Sequence, residues 1–520
     1  MKLFAAIDVG SYELSMKIFE ISGKNRVRVV DHIRHRIDLG TETYSTGKLS
    51  YDKVDELCRI LKEYAGIMKS YKVDDYKAYG TSAIREMENK GIVLEQIAQR
   101  TGVTIHVLSN SEQRFLDYKS IASEGEVFDK MLEKGTAIVD VGGGSIQISL
   151  FDKGTLTTTQ NLKLGVLRMY ERIGRINAKP SQMEKLLAEL DDAQLEVLSK
   201  LYLKDKKIEN IILVDDYLSV WMQDKAGKDR AGYATAEEFK KFKEYLRTTG
   251  IGEIAARFKI SEENVRLMVI SAVLMDRIMN VMDAKLIWAP GVTLCDGIAY
   301  EYVEQQKIVI SEHDFEKDIV DCALNISKRY MGSRKRAETL ENLTMTIFDN
   351  TKKLHGLGKR ERLYLQLAAI LHDCGKYISL VNLGECSYQI IMATEMIGLS
   401  HMEREIVANI VKFNHEDFIY FEELSRRSGL DRQAYLTVAK LTAILRIANG
   451  LDRSHKQKFK NVKVALKDKE LVLTVDSGED ITLEKGLFND RMQFFEEVFN
   501  VRPVIKQKRS FQYGRKENRF

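Results

Sequence analysis

Two short runs carry residues able to do chemistry together. Asp8-Val9-Gly10-Ser11 lies near the start, and Asp140-Val141-Gly142-Gly143-Gly144-Ser145 lies further on; each sets a carboxylate two residues before a glycine and ends on a hydroxyl. Glycine lets the backbone approach a ligand closely, and successive N–H groups in such a turn form a nest for an anion. An aspartate beside the nest suits Mg²⁺, which keeps several waters and prefers oxygen ligands. Together these are what phosphoryl transfer asks for, since that chemistry is mainly positioning and charge neutralisation. The residues therefore predict phosphate held by Gly10, Ser11, Gly142, Gly143, Gly144 and Ser145, with Mg²⁺ held by Asp8 and Asp140. A lone turn of this kind is commonly just a tight hairpin. Two of them, each behind an apolar lead-in, predict two similar lobes facing one cleft.

The elements that position these turns are legible around them. Leu3 to Ile7 and the alternating run after Tyr12 read as strands flanking the first turn, and Ile138-Val139 and Ile146 to Ile148 as strands flanking the second. Thr81, Ser82 and Arg85 follow a short strand, Tyr76 to Tyr79. Arg85, near a helix start, offers a planar fork for two phosphate oxygens. The chain of 520 residues is too long for one core and predicts three or four domains. Its net charge of +4 does not by itself call for nucleic acid, and the basic run from Lys506 to Lys516 reads as a solvated tail. The five cysteines show no paired metal spacing. No apolar run approaches bilayer-spanning length, and Leu3 to Ile7 is too short for a signal peptide. A cytoplasmic protein with neither a membrane nor a nucleic-acid partner is expected.

The ordered set Asp8 to Ser11, Tyr79 to Arg85 with Asn89, and Asp140 to Ser145 resembles the exopolyphosphatase/guanosine pentaphosphate phosphohydrolase family; Gly165 to Arg168 and Gly291 to Gly297 fit the same layout. The resemblance implies an α/β N-terminal half of two ribonuclease-H-like lobes, in the actin-like, Hsp70-like, sugar-kinase superfold. It also implies a phosphate chain in the cleft, Mg²⁺ dependence and a homodimer. Against the family pattern, the glutamate that activates water falls on Gln113, and the acid after the glycine-rich turn is Gln147. An amide cannot take a proton from water at neutral pH. Glu112 is the one local carboxylate left to position water, about 100° around a helix from Gln113. Tyr12-Glu13, Asp215-Asp216 and Cys295-Asp296 also depart from the pattern, and two carboxylates at 215 and 216 would repel a polyanion.

From about Val309 the pattern becomes helical. His372-Asp373, behind the apolar stripe from Leu365 to Leu371 and with His355 upstream, resembles the HD domain that follows the phosphatase lobes in longer family members. In catalytic HD domains such residues hold divalent metal, which implies His355, His372 and Asp373 as ligands. Asn449 stands where that pattern offers aspartate, with Asp452 near it. Alternation around Lys467 to Lys469 predicts a hairpin, followed by a helix from Asn489 to Phe499. The expected order is thus lobe I over 1–125, lobe II over 126–305, an all-α HD-like domain over 306–458, a small α+β domain over 459–510 and a basic tail over 511–520. The leading expectation is an Mg²⁺-dependent exophosphatase acting on inorganic polyphosphate or guanosine pentaphosphate. The alternatives are a regulatory homologue that binds such anions with little turnover, an HD-domain nucleotide phosphohydrolase and, last, an ATP-using kinase.

Overall fold

The computed structural model describes residues 2–23, 27–175, 182–204, 206–215, 217–226, 232–308, 313–459, 462–477 and 479–508. The chain divides into two compact units, Met1–Asp318 and Ile319–Phe520.

The first unit opens with a sheet of β1 (Lys2–Val9), β2 (Glu13–Ile21), β3 (Val27–Arg36), β4 (Asp75–Gly80) and β5 (Ile105–Val107), in the order β3-β2-β1-β4-β5. The first three strands run antiparallel, and β4 and β5 join parallel to β1. With it go α1 (Gly40–Thr46), α2 (Tyr51–Tyr71), α3 (Ser82–Glu86), α4 (Lys90–Thr101) and α5 (Asn110–Ala122). Successive side chains of a strand face opposite ways, and β1 buries both of its faces. Ala5, Ile7 and Val9 pack with Leu57 and Leu61 of α2 and Ile97 of α4, while Phe4 and Ala6 pack on the opposite side with Leu116 of α5.

The second sheet repeats this plan. After α6 (Glu126–Leu132) come β6 (Thr136–Val141), β7 (Ile146–Asp152), β8 (Thr155–Leu162), β9 (Asn210–Asp215), β10 (Gly232–Thr235) and β11 (Leu286–Ala289), ordered β10-β11-β9-β6-β7-β8. The run β8-β7-β6-β9-β11 has the strand directions of β3-β2-β1-β4-β5, and β10 is an antiparallel addition. Helices α7 (Val166–Arg175), α8 (Met183–Val197), α9 (Ser219–Ala226), α10 (Ala236–Thr248), α11 (Ile251–Phe258) and α12 (Glu262–Met282) accompany it. The next helix, α13 (Leu294–Gln305), leaves this sheet and returns to the first: Leu294, Ile298 and Tyr302 complete the core around Phe4, Ala6 and Leu116. Helices α13 and α5 thus share one core against the first sheet.

Helix α14 (Phe315–Arg329) begins in the first unit. The second unit is helical through α15 (Arg334–Asn350), α16 (Lys352–His355), α17 (Lys359–Leu371), α18 (Leu383–Ala393), α19 (His401–Phe413), α20 (Phe421–Ser428) and α21 (Arg432–Leu451). It ends in a small sheet, β12 (Val462–Lys467), β13 (Glu470–Asp476) and β14 (Arg502–Lys508), with α22 (Thr482–Phe499) before the last strand. The hairpin expected at Lys467 to Lys469 is the β12–β13 turn. The expected helix at Asn489 is the second half of α22, and β14, paired parallel to β13, is an addition. Residues 511–520, expected as a basic tail, lie outside the described residues, as does Asp216. Among the described residues no helix is long and apolar enough to cross a membrane.

Candidate active site

The two glycine turns are equivalent hairpins. Gly10 N donates to Glu13 O at 3.1 Å, and Gly142 N donates to Ser145 O at 3.0 Å. A Cβ on Gly10 would stand 2.7 Å from the Glu13 carbonyl oxygen, so no larger residue closes this turn. Asp8 pairs in register with Ser15 and Asp140 with Gln147, which puts the two carboxylates at matching places in the two sheets. The turns also meet: a Cβ on Gly143 would lie 3.3 Å from the Ser11 Cβ. Ser11 Oγ lies 2.7 Å from the Tyr44 hydroxyl and 2.9 Å from Ser82 Oγ, and those two hydroxyls are 2.7 Å apart. The second turn is tied to α7 through its carbonyls. Val166 N donates to Gly142 O (3.0 Å), Arg168 N to Gly143 O (3.1 Å) and Arg168 Nε to Gly144 O (2.8 Å). Arg168 Nη2 also reaches both Glu86 oxygens at 2.9 and 2.8 Å, clamping α3 of the first lobe to α7 of the second.

These turns open on a cleft of about 270 Å³. Its floor includes Asp8, Gly10, Ser11, Asp140, Gly142 and Gly143, with Thr81 and Ser82 beside them. Gln113 and Asp117 of α5 face it from the first lobe and Asp215 from the second. A basic row, His32, Arg34 and Arg36, also lines it; these residues alternate along β3 and so share one face of the strand. Burial, helped by Lys17 and Arg34, pushes His32 down to about 4, so the ring is neutral at pH 7; its Nε2 lies 2.8 Å from Ser15 Oγ. Arg34 lies 3.5 Å from Glu13, and Arg36 pairs with Glu263 while stacking 4.8 Å above the Tyr12 ring.

Not every expected site residue faces the cleft. Gly144 is buried against the Tyr44 and Ser82 hydroxyls, and it and Ser145 lie outside the cleft wall. Arg85 Nη1 donates to the Leu108 carbonyl at 2.8 Å and to Gln113 Oε1 at 3.4 Å, gripping the start of α5. Glu112 accepts from Ser109 N at 2.9 Å while Ser109 Oγ accepts from Glu112 N, a reciprocal helix cap. That carboxylate is turned to the helix end, which corrects its expected place beside the attacking water; Gln113 is the cleft-facing neighbour. Gln147 is buried, and its Oε1 accepts from Arg114 Nε at 2.9 Å. Asp215 is committed too. Its Oδ1 accepts from the amides of Tyr217 and Leu218 at 2.5 Å each, and its Oδ2 from Ser271 Oγ at 2.5 Å, so its charge is spread into the start of α9. Asp296 caps α13 and pairs with buried Lys17 at 2.6 Å.

Residues 18–306 match the family model described as the Ppx/GppA phosphatase family. The chain belongs to that family. Residues 321–493 match Ppx/GppA phosphatase, domain III. Among similar proteins, a guanosine-5'-triphosphate,3'-diphosphate pyrophosphatase of Photobacterium profundum is 21% identical over 501 residues, covering 92% of each chain. Exopolyphosphatase 1 of Mycobacterium bovis is 25% identical over 148 residues, covering 28% of this chain and 40% of that protein. The crystal structure of an exopolyphosphatase from Cytophaga hutchinsonii superposes with a TM-score of 0.53 at 17% identity, covering 59% of this chain and all of that one. The likeness supports the mixed α/β architecture of the N-terminal half.

In the second unit the three expected metal ligands differ in how far the chain itself has engaged them. His355 Nδ1 accepts from Leu357 N at 2.9 Å, which leaves Nε2 as the donor to the Phe348 carbonyl at 3.0 Å, so neither ring nitrogen is left for a metal. His372 Nδ1 lies 2.8 Å from the Ala369 carbonyl. Asp373 faces the chain's own cations, Lys376 Nζ at 3.2 Å and buried Arg336 Nη1 at 3.7 Å, and Arg336 Nη2 donates to Asn449 Oδ1 at 3.3 Å. Among the described residues no three His, Cys, Asp or Glu are placed to hold one metal ion. The expected ligand role of His355 is therefore corrected, while His372 Nε2 and Asp373 Oδ1 are buried without a hydrogen-bond partner among the described residues; the family model that matches this region is described as domain III.

Asp117, Tyr44 and the row His32, Arg34 and Arg36 were missed by sequence reasoning. The alternation in "DHIRHR" signals the row, and the four-residue spacing from Gln113 signals Asp117.

Proposed function

We propose that this chain hydrolyses the terminal phosphoanhydride bond of a multiply charged phosphate chain, inorganic polyphosphate or guanosine pentaphosphate, with Mg²⁺. The observation that carries the reading is the meeting of the two hairpins at one cleft, with Asp8 and Asp140 in matching register. The names of the relatives, a guanosine pentaphosphate pyrophosphatase and an exopolyphosphatase, agree with it. The backbone amide at Gly143 and hydroxyls at Ser11, Thr81 and Ser82 would hold the terminal phosphate, while the Gly10 and Gly142 amides close the hairpins. Arg34 and Arg36 would meet the charge that follows. The donor set on the floor is all oxygen, and among the described residues there is no three-acid cage, which fits a hydrated Mg²⁺ held through Asp8 and Asp140. When bound, the metal would neutralise charge developing on the phosphate oxygens.

Phosphate release from long polyphosphate, guanosine pentaphosphate and ATP, with Mg²⁺ titrated, tests the reading. Mg²⁺-dependent release from one of the first two is expected; release equal to a buffer blank on all three overturns it. One observation favours a second reading: Gln113 and Gln147 stand where the family pattern has acids. Tight polyphosphate binding without phosphate release is the outcome that would select a regulatory binding protein.

A further inference from the structure

We infer that Asp117 is the carboxylate that takes the proton from the attacking water, one helical turn along α5 from the position at which the family pattern has its glutamate. The inference rests on the hydrolase reading above. Helix α5 carries two acids, Glu112 and Asp117. Glu112 turns its carboxylate to the helix end, onto Ser109 N, and is not part of the cleft lining. Asp117 is four residues after Gln113, and residues at that spacing lie on one helical face, about 6 Å apart along the axis. Both line the cleft, and Asp117 is 4% exposed. A buried carboxylate held against a phosphate site is suited to act as a base, whereas the Gln113 amide is not.

The register of α5 is held at four points, so Asp117 is not a loosely placed side chain. The cap at Ser109 fixes the start of the helix. Arg114 Nε donates to Gln147 Oε1 across the lobes at 2.9 Å. Lys119 Nζ pairs with Glu304 of α13 at 2.6 Å. Between these, Leu116 presents its backbone to Gly297 so closely that a Cβ there would be 2.1 Å from the Leu116 oxygen. Gln113 has a different part. Its Oε1 accepts from Arg85, which leaves the amide nitrogen as a donor toward the cleft.

In the step inferred, a water oxygen bonds to the terminal phosphorus as the bridging P–O bond breaks. The shortened phosphate chain leaves with that electron pair. The proton shed by the water goes to an Asp117 carboxylate oxygen and from there to solvent. Gln113 would orient the water as a hydrogen-bond donor.

Asp117→Asn is compared with the natural chain for kcat, KM, pH profile and polyphosphate affinity, with thermal unfolding as the check on folding. A fall in kcat of about 10²-fold or more, with affinity for polyphosphate within threefold, is expected. The acid limb of the pH–rate profile should disappear with it. Gln113→Glu in the Asp117→Asn background should recover at least tenfold, because it returns an acid to the same helical face. If the natural chain is active and Asp117→Asn matches it in kcat and pH profile, the Asp117 inference is wrong while the hydrolase reading stands. If the natural chain binds polyphosphate yet releases no phosphate from any substrate, the hydrolase reading fails and the inference fails with it. An Asp117→Asn protein that unfolds is replaced by Asp117→Ser, which removes the carboxylate with a smaller side chain; a folded Asp117→Ser protein with the natural kcat and pH profile overturns the inference.

Discussion

Replacing Gly297 by alanine sets two opposed effects against each other. Within a helix, alanine is favoured over glycine by roughly 1 kcal/mol. Gly297 lies inside α13, so propensity alone predicts a more stable protein. The neighbour decides otherwise. A Cβ there would stand 2.1 Å from the Leu116 oxygen and 2.6 Å from its carbonyl carbon. These are backbone atoms of α5 and cannot swing aside as a side-chain tip could. An ordinary contact begins at 3.4 Å, so the two helices must part by about 1.3 Å, the difference between that contact and 2.1 Å. Overpacking of this kind costs roughly 1–3 kcal/mol, which exceeds the propensity gain. The same movement displaces Gln113 and Asp117 relative to the glycine turns, and a 1 Å misplacement can cost about 10²-fold in rate. Urea unfolding and phosphate release measured on Gly297→Ala should therefore show lower stability and lower kcat. Gly66, inside α2 with nothing within 4 Å of a Cβ there, is the control. Gly66→Ala should stabilise by about 0.5–1 kcal/mol with activity unchanged. A Gly297→Ala protein as stable and as active as the Gly66→Ala protein would refute the reasoning.

Two further outcomes follow from side-chain partners. Gln147→Glu should leave phosphate release within about twofold of the natural chain, because the new carboxylate meets Arg114 Nε at 2.9 Å and is held as an ion pair; a tenfold rise would show that the site lacks only that acid. In the second unit, burial pushes His372 down to about 3 and His415 down to about 4, so both are neutral in the folded chain at neutral pH. Unfolding frees them to titrate near 6.5, so between about pH 6.5 and 4 the unfolded chain binds more protons. Stability present above pH 6.5 is then lost as the pH falls, by up to about 1.4 kcal/mol per pH unit for each histidine. Denaturant midpoints measured from pH 7.5 to 4.5 on the natural chain and on His415→Gln should show a shallower slope for the variant; parallel slopes would contradict the assignment.

The two hairpins were legible in the residues because what makes them is local. A carboxylate, glycines and a hydroxyl between apolar runs dictate a strand, a tight turn and a strand wherever they occur, and the repeat of that pattern dictated two like sheets. The amides at Gln113 and Gln147 could also be read directly, as could the hairpin at Lys467 to Lys469. Other assignments depended on what stands opposite, and the chain order does not say. Glu112 and Asp117 are both acids on one helix; which of them meets the cleft is set by the contact of Leu116 with Gly297, far along the chain. Asp215 looked like a charge hostile to phosphate until Ser271 and two amides were found on it. His355 had the type and order of a metal ligand, yet hydrogen bonds to Leu357 and Phe348 occupy both of its ring nitrogens. The sequence by itself thus determined the turns and the strands around them, since backbone conformation answers to near neighbours. Only the tertiary structure decided which charged groups remain for chemistry, since a carboxylate or imidazole is defined by the partners that folding brings within hydrogen-bond reach.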